Sequence, residues 1–463
     1  MRGAHLTTLG GEPPTGIPDA LRVVTGVDEV LTGGLARPGE ADAAALGALA
    51  SALAGTPLGG PTAEAVANVV AGAVSEEHVA VLAGARSALL GAVHDALLGQ
   101  LDAALNRNRP ASPGGQRAAE SGAQPVTAAR AWLHEVAVTG WRGVDHELVA
   151  AAGAPVEAAW ATPGLRRLAV LLDGFAAELR AAVPVATMPQ APVRRWADLW
   201  ARGMLLTHGV ADADAAPVTG RLLLLGVDVH EHDTAVQVQA HAVLEPADGG
   251  PPRLVRTAVG AAKVDTIGGP ALWRLLDAYP VLLAALAQRR TLEVTDVPLR
   301  GGDLTWHDDR AQLGGPADPF ATARVLLPSA VATAAAPLDR HPVGIAEPVL
   351  VEGYAVRDDD GTLTLEVDGA PLVVDAERLP SCGPLTRDLV AASSACLGLM
   401  RWDAGRWSVQ PLAVQATVKR KPVTVHTGDW AGGVTDPKVA KAEARAGDAV
   451  AVLRERAGRL LRS

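Results

Sequence analysis

The sequence predicts an α+β protein: a helical N-terminal half, an antiparallel β-rich C-terminal half with hairpins and a meander, and a closing C-terminal helix. Three observations predict it. Apolar residues recur at helical spacing up to about residue 210. After Ala215 the pattern changes to period 2. Asp-Gly turn signals then separate the alternating runs. At 463 residues the chain exceeds one ordinary core, so several packed units are expected.

In chain order, residues 1–105 form a first helical region. Ser75 followed by Glu76 and Glu77 marks a helix start, with a capping hydroxyl and acids at the positive end of the helix dipole. Leu82, Leu89, Val93, Leu97, Leu101 and Leu105 then return on one face. Residues 106–125 are rich in Pro, Gly and Ser and form a linker. A second helical region covers 126–212. Its clearest stripe is Trp196, Leu199, Trp200, Gly203 and Met204. Arg194, Asp198 and Arg202 lie four apart on another face of that helix, where they can pair with one another.

The β-rich region covers 213–435. In its first hairpin, a turn over Glu231–Thr234 sets Val229 opposite Val236, Val227 opposite Val238, Leu225 opposite Ala240 and Leu223 opposite Ala242, one apolar face. His241 then lies opposite Leu224. A helix is expected over Pro270–Arg290, interrupted at Pro280. A meander follows from Val349 to Asp375, with turns at Asp360-Gly361 and Asp368-Gly369. Asp359 faces Thr362, Val356 meets Leu365, Tyr354 meets Val367, and Arg357 lies diagonal to Glu366. A helix over Leu385–Leu397 and strands around Trp407–Val425 come next. The closing region, 436–463, is a basic amphipathic helix opened by Asp436-Pro437, with Val439, Val450, Val452 and Leu453 on its packing face.

Composition restricts the function. Only two Phe and two Tyr accompany ten Trp, and lysine is confined to Lys263, Lys419, Lys421, Lys438 and Lys441. A net charge of −10 disfavours a general nucleic-acid binder, and so few Phe and Tyr disfavour a base-stacking platform. Cys382 and Cys396 give neither a disulfide framework nor a four-ligand zinc site. Mean hydropathy is +0.18, yet charges, Gly or Pro cut every apolar run before a membrane span. The expected setting is the reducing cytoplasm.

Candidate chemistry concentrates at the tip of the first hairpin, where His230, His232 and Asp233 are the candidate metal ligands. His241, about 20 Å from His230 in the register above, cannot share an ion with it. Trp306-His307-Asp308-Asp309-Arg310 reads as a polar loop. His134-Glu135 and His146-Glu147 lack the second histidine of a zincin helix. Cys382 precedes an expected helix start, a position that can lower a thiol pKa, but no His/Asn arrangement accompanies it and a reactive role is not expected. Walker A, GxSxG, SxxK and strand–GxGxxG–helix signatures are absent from the sequence, and no cofactor is expected. The basic features lie late in the chain: Lys419, Arg420 and Lys421, then the closing helix, which can meet an acidic partner, RNA or a membrane surface.

The segments VRRWADLWARGML, AEPVLVEGYAV and HTGDWAGGVTDPKVAKAEA resemble uncharacterised bacterial proteins associated with SWIM zinc-finger and MoxR-type AAA+ ATPase clusters. The SWIM cysteine pattern is missing here. The resemblance therefore implies a companion protein in a chaperone-like assembly, with an AAA+ ATPase system as partner, and assigns no functional residue. Three expectations follow. The first is a soluble, non-catalytic binding or scaffold component of an intracellular multiprotein assembly. The second is a metal-dependent hydrolase at His230 and His232. The third is nucleic-acid or acidic-partner binding through the late basic segment.

Overall fold

The computed structural model describes residues 1–110, 124–209, 215–232, 235–446 and 449–460. Asp233 and most of the expected 106–125 linker lie outside the described residues. Helices come first: α1 (Gly3–Gly10), α2 (Ile17–Gly33), α3 (Glu40–Leu53), α4 (Gly59–Val70), α5 (Glu76–Leu105), α6 (Gln124–Thr139), α7 (His146–Ala150), α8 (Gly153–Trp160), α9 (Arg166–Ala182) and α10 (Val193–Thr207). One core draws on both stretches, from Val24 and Leu49 to Phe175, Trp196 and Trp200. Phe175 meets the rings of Trp132 and Trp141 edge-on, at 5.7 and 6.0 Å between centroids, the arrangement that ring quadrupoles favour.

Ser75 caps α5 as expected, accepting from the His78 N–H at 3.2 Å. The Arg194–Asp198–Arg202 ladder does not form. Asp198 instead binds Arg86 at 2.7 Å and His341 at 3.1 Å, while Arg86 and Arg194 both hold Asp28. Buried Arg86 needs carboxylates more than an exposed neighbour on the same helix does, so α10 spends its acid inward. This network ties α2, α5 and α10 to the loop carrying His341.

Strands β1 (Ala216–Glu231), β2 (Ala235–Pro246), β3 (Arg253–Ala262), β4 (Arg290–Arg300), β5 (Asp303–Leu304) and β6 (Ala311–Pro316) form the first sheet. Its order is β1-β2-β3-β5-β4, and β4 pairs back onto β1, so the pairings close a barrel-like circuit with β6 added on β4. Between β3 and β4, the chain makes short helices α11 (Leu272–Leu275) and α12 (Pro280–Gln288), with Pro280 opening α12. Their Trp273, Leu282 and Leu286 fill the space bounded by Leu222, Leu224, Val227 and Val238. Helix α13 (Pro319–Leu326) leads to the second sheet.

The second sheet comprises β7 (Glu347–Glu352), β8 (Tyr354–Asp359), β9 (Thr362–Val367) and β10 (Ala370–Val374), then, after the short helix α14 (Arg387–Ala391), β11 (Ser393–Asp403), β12 (Arg406–Val418) and β13 (Lys421–His426). Its order is β7-β11-β12-β10-β9-β8, with β13 also on β12. The meander register is as expected: Asp359 faces Thr362, Val356 faces Leu365 and Tyr354 faces Val367, with Arg357 paired to Glu366. The helix expected over Leu385–Leu397 is corrected. Only Arg387–Ala391 is helical, and Ser393 onward is the strand β11. Both faces of β11 are covered, so its apolar run lacks the alternation that marks a half-buried strand.

One face of this sheet packs on the second half of α5, through Val93, Leu97 and Leu101, and on Leu6 and Leu9 of α1. The other face packs on the barrel. α5 thus serves the helical core with its first half and the sheet with its second. It is the one described helix long and apolar enough to cross a membrane, and 61% of that apolar window is buried inside the protein. The chain ends in α15 (Pro437–Ala446) and α16 (Ala449–Leu460). Asp436 caps the first, accepting from Lys438 N–H at 2.7 Å. Val450 is buried against the barrel core with Val439 and Leu453 beside it, whereas Val452 faces outward.

Candidate functional site

The first hairpin forms, but in a different register. Val229 pairs with Val238 and Val227 with Ala240, two residues from the expected alignment, and a bulge at Leu225 separates Leu224–Ala242 from Gly226–His241. The extra residue reverses which side chains face inward. Leu222 and Leu224 join Val227 inside the barrel, while Leu223 and Leu225 turn outward to the second sheet. β12 carries a matching irregularity at Leu412, the residue skipped between Leu397–Ala413 and Gly398–Pro411. Gly226 sits against it: a Cβ there would lie 2.7 Å from Leu412 Cβ.

This double irregularity builds the seam between the two sheets. Its apolar end joins Leu223, Leu225 and Val243 to Leu397, Ala413 and Phe320. Beyond the bulges the seam turns polar, with Asp228 and His230 from β1 facing Arg401 from β11 and Gln410 from β12. Asp228 accepts from Arg401 Nη2 at 2.6 Å and from Gln410 Nε2 at 2.7 Å. His230 Nε2 lies 3.0 Å from its Oδ2. Gln410 Oε1 in turn accepts from Arg401 Nε and Nη2 at 2.9 and 2.7 Å. Burial pushes the Asp228 carboxyl up, but the His230 hydrogen bond and the Arg401 charge outweigh it, and the group stays well below the usual carboxylate range. Burial lowers the Arg401 pKa.

His241 lies on the same face, opposite Gly226 and four positions from the His230–Gln237 pair. That spacing is about 13 Å rather than 20 Å. Burial drives its imidazole down to about 3, Arg256 and Arg401 add to the shift, and Asp228 opposes it. It is therefore a neutral ring, and its Nε2 has no hydrogen-bond partner among the described residues. A carboxylate holding one nitrogen of a half-exposed imidazole is a general-base geometry. Here the same carboxylate is also committed to Arg401 and Gln410, and no nucleophile hydrogen-bonds to His230 among the described residues.

The remaining candidates separate. His232 is exposed, and its N–H donates to the Ala235 carbonyl at 2.9 Å, closing the turn. Glu231 pairs with the buried Lys263 at 3.1 Å. Among the described residues, no group of three His, Cys, Asp or Glu side chains could hold a metal ion. Asp308 caps α12, accepting from Val281 N–H at 3.1 Å, and also binds the Trp306 indole. His134 Nε2 lies 3.2 Å from the Val74 carbonyl. Cys382 is not an activated thiol: burial pushes it up to about 12, and Cys396 likewise.

Lys419, Arg420 and Lys421 stand at the tip of the β12–β13 hairpin, where Val418 pairs with Lys421. Two-residue hairpin turns of this kind need positive φ at both central positions. Among the described residues, four such turns join strands of the second sheet. Asp360-Gly361, Asp368-Gly369 and Ala404-Gly405 each place glycine second. The fourth holds Lys419 at φ 51° and Arg420 at φ 65°. A side chain in that conformation costs roughly 1–2 kcal/mol, so the tip carries cations where a neutral, easier turn would fit. All three residues are exposed and make no ion pair among the described residues. Other arginines on or near this sheet are held by carboxylates: Arg324 by Glu352, Arg387 by Asp358 and Arg289 by Asp429.

In the sequence this tip stands out by charge alone; its backbone conformation emerges only from the register. For Arg401 and Gln410 the one signal in the sequence is Arg401 inside the apolar run CLGLMRW, since a buried cation requires a buried partner. Comparison with protein-family models, curated proteins and solved structures finds no match for this chain.

Proposed function

We propose that this chain is a non-catalytic binding or scaffold component of a larger protein assembly, and that the β12–β13 hairpin tip docks an acidic surface of a partner protein. The observation that supports this reading is the strained, unpaired cationic turn Lys419-Arg420-Lys421 on a sheet whose other described two-residue turns use glycine. Backbone strain held at an exposed position is retained for what it presents. Neighbouring Val418 is 36% exposed, so the tip offers an apolar contact beside three cations that can meet carboxylates. The resemblance of the later segments makes a MoxR-type AAA+ ATPase system the first assembly to test.

The test is binding of poly-L-glutamate to the full chain at several ionic strengths, with K419E/R420E/K421E as comparison. Saturable binding that weakens with salt and is lost in the triple variant supports the reading. Equal binding by the triple variant, or no binding by the natural chain, overturns it. Tighter binding of single-stranded polynucleotide than of polyglutamate would move the site to nucleic acid.

A further inference from the structure

We propose that the cavity between α1, the end of α5, α13 and β7 binds a small monocarboxylate with a compact apolar tail. It has a volume of about 240 Å³, room for a ligand on the order of ten non-hydrogen atoms. Its walls are divided. Leu105, Leu327, Val349 and Leu350 supply an apolar surface, which favours a hydrocarbon tail. The charged side chains on the lining are Arg107, Arg324 and Glu352, two cations to one carboxylate.

The cations are unequally satisfied. Arg324, 42% exposed at the rim, is bound to Glu352 at 2.8 Å and to Gln415 at 3.0 Å. Arg107 is almost wholly buried and short of anion. Its contact with Glu347 is 3.4 Å long, and Glu347 is shared with Arg109, which holds it at 3.0 Å. Its other hydrogen bond goes to a neutral acceptor, the Pro348 carbonyl, at 2.8 Å. Burial accordingly depresses the Arg107 pKa. A buried guanidinium with a distant, shared counter-ion gains most from an added carboxylate, because a charge-assisted pair at low dielectric is stronger than one in water. An amine ligand would meet the two guanidiniums and be repelled. The carboxylate therefore lies toward Arg107, with Arg324 closing the rim and the tail along Leu105 and Leu327. This site is independent of the hairpin tip.

The experiment titrates hexanoate, 1-hexanol and hexylamine into the full chain, followed by chemical-shift changes and saturation-transfer NMR. Hexanoate is expected to saturate and to bind at least tenfold more tightly than either analogue. Arg324→Gln, at an exposed position, should weaken hexanoate about fivefold without altering hexanol. Leu105→Trp, at a half-buried position, should fill the cavity and abolish binding of hexanoate. Equal affinity for hexanoate and hexanol overturns the carboxylate site. Hexanoate binding unchanged in both variants places the ligand elsewhere and overturns the proposal too.

Discussion

Replacing Arg401 with methionine is the sharpest test of the seam. The substitution conserves length while removing the guanidinium, and leaves Asp228 about 4% exposed without its closest cation. Gln410 Oε1 simultaneously loses both of its donors. Breaking one half of a buried pair costs about 3–5 kcal/mol, because the surviving charge stays desolvated. The pH dependence carries a sign. In the natural chain, Asp228 is held below its ordinary pKa, so its contribution is complete at neutral pH and is lost only as the pH falls below the usual carboxylate range. In Arg401→Met, burial acts with less opposition and raises that pKa. The carboxyl then takes up a proton at higher pH than in the natural chain, and the deficit shrinks as the pH falls. Urea unfolding followed by tryptophan fluorescence at a series of pH values measures both. Asp228→Asn combined with Arg401→Met should cost at least about 1.5 kcal/mol less than the sum of the single changes. A single-variant cost below about 1 kcal/mol, or simple additivity, refutes the reasoning.

Two further outcomes follow from the same seam. His241 is neutral down to about pH 3 in the folded chain, whereas the unfolded chain titrates it near 6.5. It therefore withdraws stability as pH falls, by about 1.4 kcal/mol per unit between those values. His241→Gln should reduce the loss measured between pH 6.5 and 5 by about 2 kcal/mol, and an unchanged pH profile would show that the ring is not the buried neutral group described. Gly226→Ala should destabilise by at least about 2 kcal/mol, since the new Cβ meets Leu412 at 2.7 Å; a loss under 0.5 kcal/mol on the same urea assay would show that the two bulges are not in contact.

The parts of the fold legible in the sequence are those with one buried face. The stripe of α10, the Ser75 cap and the β8–β9–β10 meander all alternate or cap by local rules, and each occurs at the expected residues. The expected helix over Leu385–Leu397 failed because Cys396, Leu397, Leu399 and Met400 are buried on both sides of one strand, which erases periodicity. The hairpin register failed for another reason. A run of four leucines, Leu222–Leu225, satisfies either face, so nothing local locates the bulge that reverses it. The polar seam depended on that reversal. Asp228 and His230 were visible as polar positions, but Arg401 and Gln410 lie far along the chain, and only tertiary packing brings them together. The hairpin tip was visible as charge, while its strain required the two-residue spacing between Val418 and Lys421.

The docking role of that tip is tested most directly by converting its turn to the sequence the backbone prefers. Lys419→Asn with Arg420→Gly supplies the residues best suited to positive φ and removes two of the three cations. The account predicts opposite changes in one protein: stability to urea rises by about 1–2 kcal/mol, while binding of polyglutamate falls at least tenfold. A variant that becomes more stable and binds as before would contradict the account, since the strained cations would then serve no docking function.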